Sequence, residues 1–195
     1  MLITTIGSGH VGGTLARLWT AGGYEVRVAD RQNCAQAVAD ADVVALCVPW
    51  SAAEVALGSC GDLAGKILID CTNPLSAGLD GLVLGTTTSA AEQIQRWYPN
   101  AQIVKAFNSI GAALLGKGEI DGRTADGYFC SDSATAKQVV RPLVTAAGLR
   151  PVDVGPLRNA RYLEAIAMLW IDLAVNQKRG ETFAFTLAGW SGTLS

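Results

Sequence analysis

The chain has 195 residues, of which 50% are hydrophobic and 16% charged, with a formal net charge of −2. Such a composition supplies apolar area for a sizeable core and excludes a disordered chain. It gives no electrostatic basis for binding nucleic acid or an anionic membrane.

Met1-Leu2-Ile3 enters a strand directly, with no charged n-region or cleavage site ahead of it, so a cytoplasmic protein without a signal peptide is expected. The first strand covers residues 2–6 and runs into Gly7-Ser8-Gly9-His10-Val11-Gly12. A helix opens there, with Val11, Leu15, Leu18 and Trp19 on one face, and stops at Gly22-Gly23. Further strands are predicted over 24–29, 43–48, 66–70, 103–107, 128–130 and 151–154, most without period-two alternation, as expected of strands buried on both faces. Ser51-Ala52-Ala53-Glu54 and Ser89-Ala90-Ala91-Glu92 have the form of capping boxes and mark two helix starts. Ala136, Val139, Val140, Leu143 and Ala147 form another apolar helix face, which Pro142 is expected to kink or split. A last helix, roughly 157–176, is apolar on nearly every side. Its narrow polar stripe is Arg158, Arg161, Glu164, Asp172 and Asn176. It either pairs with a second copy in a homodimer or covers its own sheet. The stretch 163–175 is too short, and too interrupted by Glu164 and Asp172, to span a bilayer.

Strand, helix and strand repeated in this way predict an α/β fold: a doubly wound, mostly parallel sheet in one domain over 1–195, with a helical appendage from about 157. The cysteines Cys34, Cys47, Cys60, Cys71 and Cys130 form no CxxC pair and have no metal-like spacing with His10, the single histidine. They are expected to be reduced, mostly small core residues, and no metal site is expected.

The Gly7–Gly12 segment carries the chemistry. Its GxGxxG spacing lies between a strand and a helix inside a βαβ unit about 30 residues long, the context of a Rossmann-type dinucleotide site. Gly7 permits the tight turn, Gly9 lets main chain approach the pyrophosphate, and Gly12 lets helix and strand pack closely. Ser8, His10 and Val11 complete the loop, with the backbone of His10 mattering more than its ring. The helix N-terminus offers free N–H groups to the phosphates. At the end of the second strand, Asp30 suits the ribose hydroxyls of NAD, whereas Arg31 suits the 2′-phosphate of NADP. The two residues pull in opposite directions, and the preference stays open.

Other segments add a resemblance. In order they are the glycine loop, Val48-Pro49-Trp50, Asp70-Cys71-Thr72-Asn73-Pro74-Leu75, Val104-Lys105-Ala106-Phe107-Asn108, and Asp153-Val154-Gly155-Pro156-Leu157-Arg158 continued by Arg161, Leu163-Glu164 and Met168-Leu169-Trp170. Together they resemble the oxidoreductases that pass hydride between NADP and the deazaflavin coenzyme F-420, and are similar to the reductase domain of the six-transmembrane metalloreductases. The resemblance implies that Pro49 and Trp50, Thr72, Asn73 and Pro74, and Asn108 to Ile110 line the nicotinamide end of the cleft. All three segments follow strand ends, where ligands bind in open α/β sheets; ordinary turn chemistry also explains their Pro and Asn. The sequence departs from the family at Asp30, where NADP users carry a small hydroxyl residue, and in the tail 178–185, which matches loosely.

Hydride transfer between two ring carriers needs few catalytic side chains, and none is assigned. Lys105 reads either as a proton-transfer group or as support for the Phe107-Asn108 turn. The expected activity is hydride transfer between NAD(P)H and a small-molecule ring acceptor such as a deazaflavin or flavin. A small dehydrogenase or imine reductase, and a non-catalytic NAD(P) sensor, are the alternatives.

Overall fold

The structure, a computed structural model, describes residues 1–30, 32–117 and 119–189. In chain order the elements are β1 Leu2–Ile6, α1 His10–Ala21, β2 Glu25–Ala29, α2 Cys34–Ala39, β3 Val43–Leu46, α3 Trp50–Gly58, β4 Ile67–Asp70, α4 Ala90–Trp97 and β5 Gln102–Ala106. There follow β6 Glu119–Ile120, β7 Arg123–Thr124, β8 Asp126–Cys130, α5 Ala134–Ala146, β9 Arg150–Asp153 and α6 Ala160–Ile171. Seven strands form one sheet in the order β2-β1-β3-β4-β5-β8-β9. The first five are mutually parallel; β8 runs antiparallel to β5 and pairs in parallel with β9. The sheet is therefore mostly parallel, as expected. The chain leaves β1 toward β2 on one side and returns to β3 on the other, so a crevice opens at the C-terminal ends of β1 and β3.

The strands are apolar throughout because both faces are covered. Val44 and Leu46 join Ile6, Leu68 and Ile103 under α2, α3, α4 and α6. Val43 and Ala45 join Ile3, Ile69 and Val104 under α1 and α5. Of the predicted α1 face, Leu15 and Trp19 are fully buried, and the Trp19 indole N–H donates to the Leu143 carbonyl at 2.9 Å, tying α1 to α5. The final helix covers the sheet of its own chain through Ala160 and Leu163, while Tyr162 and Leu169 stay 68% and 50% exposed. The tail folds back on it: Phe183 stacks on Trp170, whose indole donates to the Phe183 carbonyl at 2.8 Å.

Three expectations are corrected. The Ser89 box forms its N-cap, the hydroxyl accepting the Glu92 N–H at 3.1 Å, but the Ser51 box does not. There α3 begins two residues earlier, at Trp50, with Pro49 as N-cap: a proline lacks the N–H that a helix start leaves unpaired, and its fixed φ suits the entry. Pro142 does not split α5, which runs unbroken from Ala134 to Ala146. Pro142 and Gln138, the residue whose carbonyl loses its helical partner, both face solvent, which can hydrate that oxygen. Cys34 and Cys60 are not reduced thiols but a disulfide, closing a separation of 26 residues that only the packing of α2 beside the end of α3 brings together. Cys47, Cys71 and Cys130 are free, as expected. A further element, the β6–β7 hairpin, turns on Asp121-Gly122 with φ of 50° and 72°, the conformation that Asp-Gly pairs favour.

Candidate functional site

The β1–α1 turn has the stereochemistry its glycines predict. Gly7 has φ of 100°, and a Cβ there would lie 2.7 Å from the Cys47 carbonyl oxygen. A Cβ on Gly12 would lie 2.1 Å from the Gly7 oxygen and 2.9 Å from the Cys47 side chain, so no side chain fits between helix and strand. At Gly9, the N-cap of α1, nothing lies within 4 Å of where a Cβ would stand, and this open side is where an anion can reach main-chain N–H groups. Ser8, Gly9 and His10 are exposed and Val11 is half-buried; the first turn of α1 carries no acidic residue to oppose a phosphate.

On one side of this turn is a cavity of about 270 Å³, lined by Ile6, Gly7, Ser8, Ala29, Asp30, Val48, Pro49 and the α3 residues Ala52 and Ala56, with Ser59. It brings the loop, Asp30 and Pro49 to one wall system, with the size and apolar floor for an adenosine. Asp30 accepts the N–H groups of Gln32 (2.8 Å) and Asn33 (3.1 Å), and its own N–H donates to the Asn33 side chain (2.9 Å). This closed turn fixes the carboxylate at the cavity rim. The Cys34–Cys60 disulfide joins the end of that turn to the end of α3, bracing the two walls against each other. Arg31 lies outside the described residues. Trp50 is not among the lining residues: its ring stacks on Trp97 at 5.4 Å, an α3–α4 contact.

On the other side stand the ends of β4 and β5. Asn73 and Asn108 interlock: the Asn73 amide donates to the Asn108 carbonyl at 2.9 Å, and the Asn108 amide donates to the Asn73 side-chain oxygen at 2.9 Å and to the Leu163 carbonyl at 3.1 Å. Asn108 is presented by Phe107, whose φ of 61° is a costly left-handed conformation for an aromatic residue. Pro74 is buried, and its carbonyl accepts the Val83 N–H. Among the described residues, the side-chain oxygen of Asn108 is the buried polar side-chain atom with no hydrogen-bond partner.

Beneath this pair is a cluster that sequence reasoning reached only in part. The Lys105 ammonium is fully buried, 2.9 Å from Asp70 and 2.8 Å from Glu164, and also donates to the Thr72 carbonyl. Asp70 accepts the Thr72 N–H (2.9 Å) and hydroxyl (2.7 Å). Glu164 accepts the N–H groups of Ala90 and Ala91 at the start of α4. Burial by itself would lower the Lys105 ammonium, but Asp70 and Glu164 outweigh it and hold it above the ordinary lysine value. Burial pushes Glu164 up, against the pull of Lys105. Lys105 is thus a cation locked in place, and of its two sequence readings the support role fits. The signal was present: Asp70, Lys105 and Glu164 are charges embedded in otherwise apolar runs, and such charges pair inside a core.

The Cys71 and Cys130 thiols are poor nucleophiles. A hydrogen bond with Cys47, then burial, holds the Cys71 thiol well above its usual value, and burial pushes Cys130 up to about 12. Among the described residues no group of three or more His, Cys, Asp or Glu side chains could hold a metal, and no helix is long and apolar enough to cross a membrane. A separate depression of about 350 Å³ among Arg123, Thr124, Arg150 and residues 186–189 contains none of the residues expected at the site.

Comparison with known proteins places these features in context. Residues 31–74 match the family described as NADP oxidoreductase, coenzyme F420-dependent. The F420-dependent NADP reductase of Methanothermobacter marburgensis is 33% identical over 154 residues, covering 74% of this chain and 67% of that protein. The metalloreductase STEAP3 of Rattus norvegicus is 39% identical over 106 residues, which is 54% of this chain but only 21% of the metalloreductase. The crystal structure of a putative F420-dependent NADP reductase from Arthrobacter sp. FB24 superimposes with a TM-score of 0.85 at 29% identity, covering 95% of this chain and 98% of that one.

Proposed function

We propose that this chain, which belongs to the family of F420-dependent NADP reductases, transfers hydride between a nicotinamide dinucleotide and a ring acceptor of the deazaflavin or flavin class. The observation that supports this most is the glycine turn between β1 and α1, which opens on an adenosine-sized cavity on one side and on the Asn73–Asn108 wall on the other.

The residues present fit the dinucleotide. The turn leaves the room over Gly9 that a diphosphate requires, and Asn108 keeps a buried acceptor without a partner. When bound, the dinucleotide supplies the hydride from its reduced nicotinamide ring. The chain's own residues do the rest. Main-chain N–H groups of residues 8–12 hold the diphosphate, with Gly7 and Gly12 setting the turn. Asp30 accepts from ribose hydroxyls, with Arg31 beside it in sequence. Pro49 walls the adenosine side; Asn73, Pro74 and Asn108 wall the other; Trp50 holds α3 against α4. Reduction of the acceptor ring takes one hydride and one proton, and with Lys105 locked between carboxylates the proton comes from solvent. The reading includes a cytoplasmic location and a homodimer through the exposed Tyr162 and Leu169 of α6; a clean monomer by light scattering at high concentration removes the dimer.

The test is oxidation of NADH and NADPH with a deazaflavin, with FMN, and with a panel of carbonyls and imines. Turnover with a ring acceptor is expected. Turnover with carbonyls or imines alone reassigns the chain to the small dehydrogenases. Tight binding with no turnover makes it a sensor, and no binding at millimolar dinucleotide overturns the reading.

A further inference from the structure

The contacts under the Asn73–Asn108 pair close on themselves. Lys105 binds Asp70; Asp70 binds the N–H and hydroxyl of Thr72; Thr72 precedes Asn73; Asn73 and Asn108 exchange hydrogen bonds; Asn108 donates to the Leu163 carbonyl; and Leu163 precedes Glu164, which returns to Lys105. The ring runs through β4, β5 and α6, and the Glu164 carboxylate extends it to the first N–H groups of α4. Every charged member is fully buried, so each is held by its partners rather than by water.

From this ring we infer that Lys105, Asp70, Thr72 and Glu164 are positioning residues for the nicotinamide half of the cleft, fixing Asn108 so that its side-chain oxygen accepts from a primary carboxamide. The inference rests on the dinucleotide reading above and deepens it. The orientation of the Asn108 amide is set by chemistry. Its nitrogen faces two acceptors, the Asn73 side-chain oxygen and the Leu163 carbonyl, and a flip would set oxygen against oxygen at both. The oxygen is left as a buried acceptor with no protein donor, a state that costs free energy until a donor arrives. A primary carboxamide carries two N–H donors and is the recognition group of nicotinamide. Because α6 contributes both Leu163 and Glu164, this helix is a wall of the site and not only a cover for the sheet.

The experiment separates the two halves of the ligand. Calorimetric titration compares each dinucleotide with its nicotinamide-free counterpart: NADH with ADP-ribose, and NADPH with 2′-phospho-ADP-ribose. It is run on the native chain, on Glu164→Gln, and on Thr72→Val with Thr72→Ser, each checked for folding by thermal melting. In the native chain the preferred dinucleotide binds about tenfold tighter than its counterpart, the worth of one well-made buried hydrogen bond. In Glu164→Gln and Thr72→Val that ratio falls to about two or less, while the counterpart's own Kd moves less than about twofold; Thr72→Ser keeps the hydroxyl and restores the ratio. With the acceptor that turns over, kcat falls by about a hundredfold in the same variants, as misplacement of a reacting ring predicts. A ratio unchanged in folded Thr72→Val, or a loss shared equally by dinucleotide and counterpart, overturns the inference and leaves the dinucleotide reading intact. If Glu164→Gln does not fold, the Thr72 pair decides. No binding of any of the four ligands to the native chain overturns both readings.

Discussion

The two halves of the proposed dinucleotide cleft are built from different materials. The adenosine half is main chain: the Gly7 turn, the open approach at Gly9, the contact at Gly12 and the closed Asp30–Asn33 turn, braced by a disulfide. The nicotinamide half is side chain: two asparagines held by a buried lysine, two buried carboxylates and a threonine drawn from separate elements. A main-chain cradle tolerates any residue that leaves its torsions and clearances alone. A side-chain ring fails when any member is removed, because the groups left behind are buried without partners. Faults in the first half should therefore weaken dinucleotide and nicotinamide-free counterpart alike, and faults in the second should appear as lost stability, a lost preference for the dinucleotide over its counterpart, or misdirected chemistry.

The sharpest way to break this contrast is Lys105→Met, which leaves Asp70 and Glu164 facing each other in the core. Chemical denaturation should show a loss of about 3–5 kcal/mol, the range for stranding a buried charge; a loss under about 1 kcal/mol would mean that the carboxylates find other partners. The pH dependence follows the same logic. The folded-state value of Lys105 is raised, so its contribution is complete below the ordinary lysine range, throughout neutral pH, and is lost only as alkali takes the pH up through the raised value. A stability profile that fell near neutrality for this reason would contradict the assignment.

Next in size is the pair Gly12→Ala and Gly9→Ala. The first forces a methyl against the Gly7 carbonyl and should cost about 2–3 kcal/mol as well as dinucleotide binding. The second meets open space, so melting should be nearly unchanged while affinity for either dinucleotide drops by about tenfold through obstruction of the diphosphate. Equal melting losses in both variants would remove the distinction between packing and ligand approach. Asp30→Ser comes after: if Asp30 contacts the ribose, the NADPH-to-NADH affinity ratio rises by about tenfold in calorimetry, and an unchanged ratio counts against that contact.

The smallest effect tests the rim of the second half. Glu92, on α4, receives the Arg161 guanidinium of α6 at 2.8 Å. That hydrogen bond first, with the Ser89 hydroxyl adding to it, holds Glu92 below the ordinary glutamate range against the opposing pull of partial burial. Its stabilisation is full above that range and is lost as the pH falls through the lowered value. Arg161→Ala should lower Tm by about 2 °C near neutrality and by less in acid. A Tm loss independent of pH would assign Arg161 a packing role.

Local sequence carried the elements and the glycine turn because their causes are local. Apolar runs without alternation announced strands buried on both faces, and the Gly7, Gly9 and Gly12 spacing encodes the turn's torsion and the Gly12–Gly7 clearance within six residues of chain. The same locality explains the misses. Whether Ser51 or Pro49 caps α3, and whether Pro142 breaks α5, turned on two residues of phase and on solvent exposure at Gln138, neither of which a motif specifies. Trp50, which the resemblance sets at the nicotinamide end, stacks on Trp97, 47 positions away, a contact no motif specifies.

By itself, then, the sequence determined the layered α/β plan, the glycine turn and the segments that stand at the strand ends, since each follows from periodicity or torsion along a few consecutive residues. Only the tertiary structure decided that Cys34 meets Cys60, that β8 runs against β5, and that Asp70, Lys105 and Glu164 share one buried site beneath Asn73 and Asn108. Those pairings join residues 23 to 59 positions apart. A contact across such a span is chosen by the packing of whole elements, and the identities of its members carry no local trace beyond a charge out of place in an apolar run.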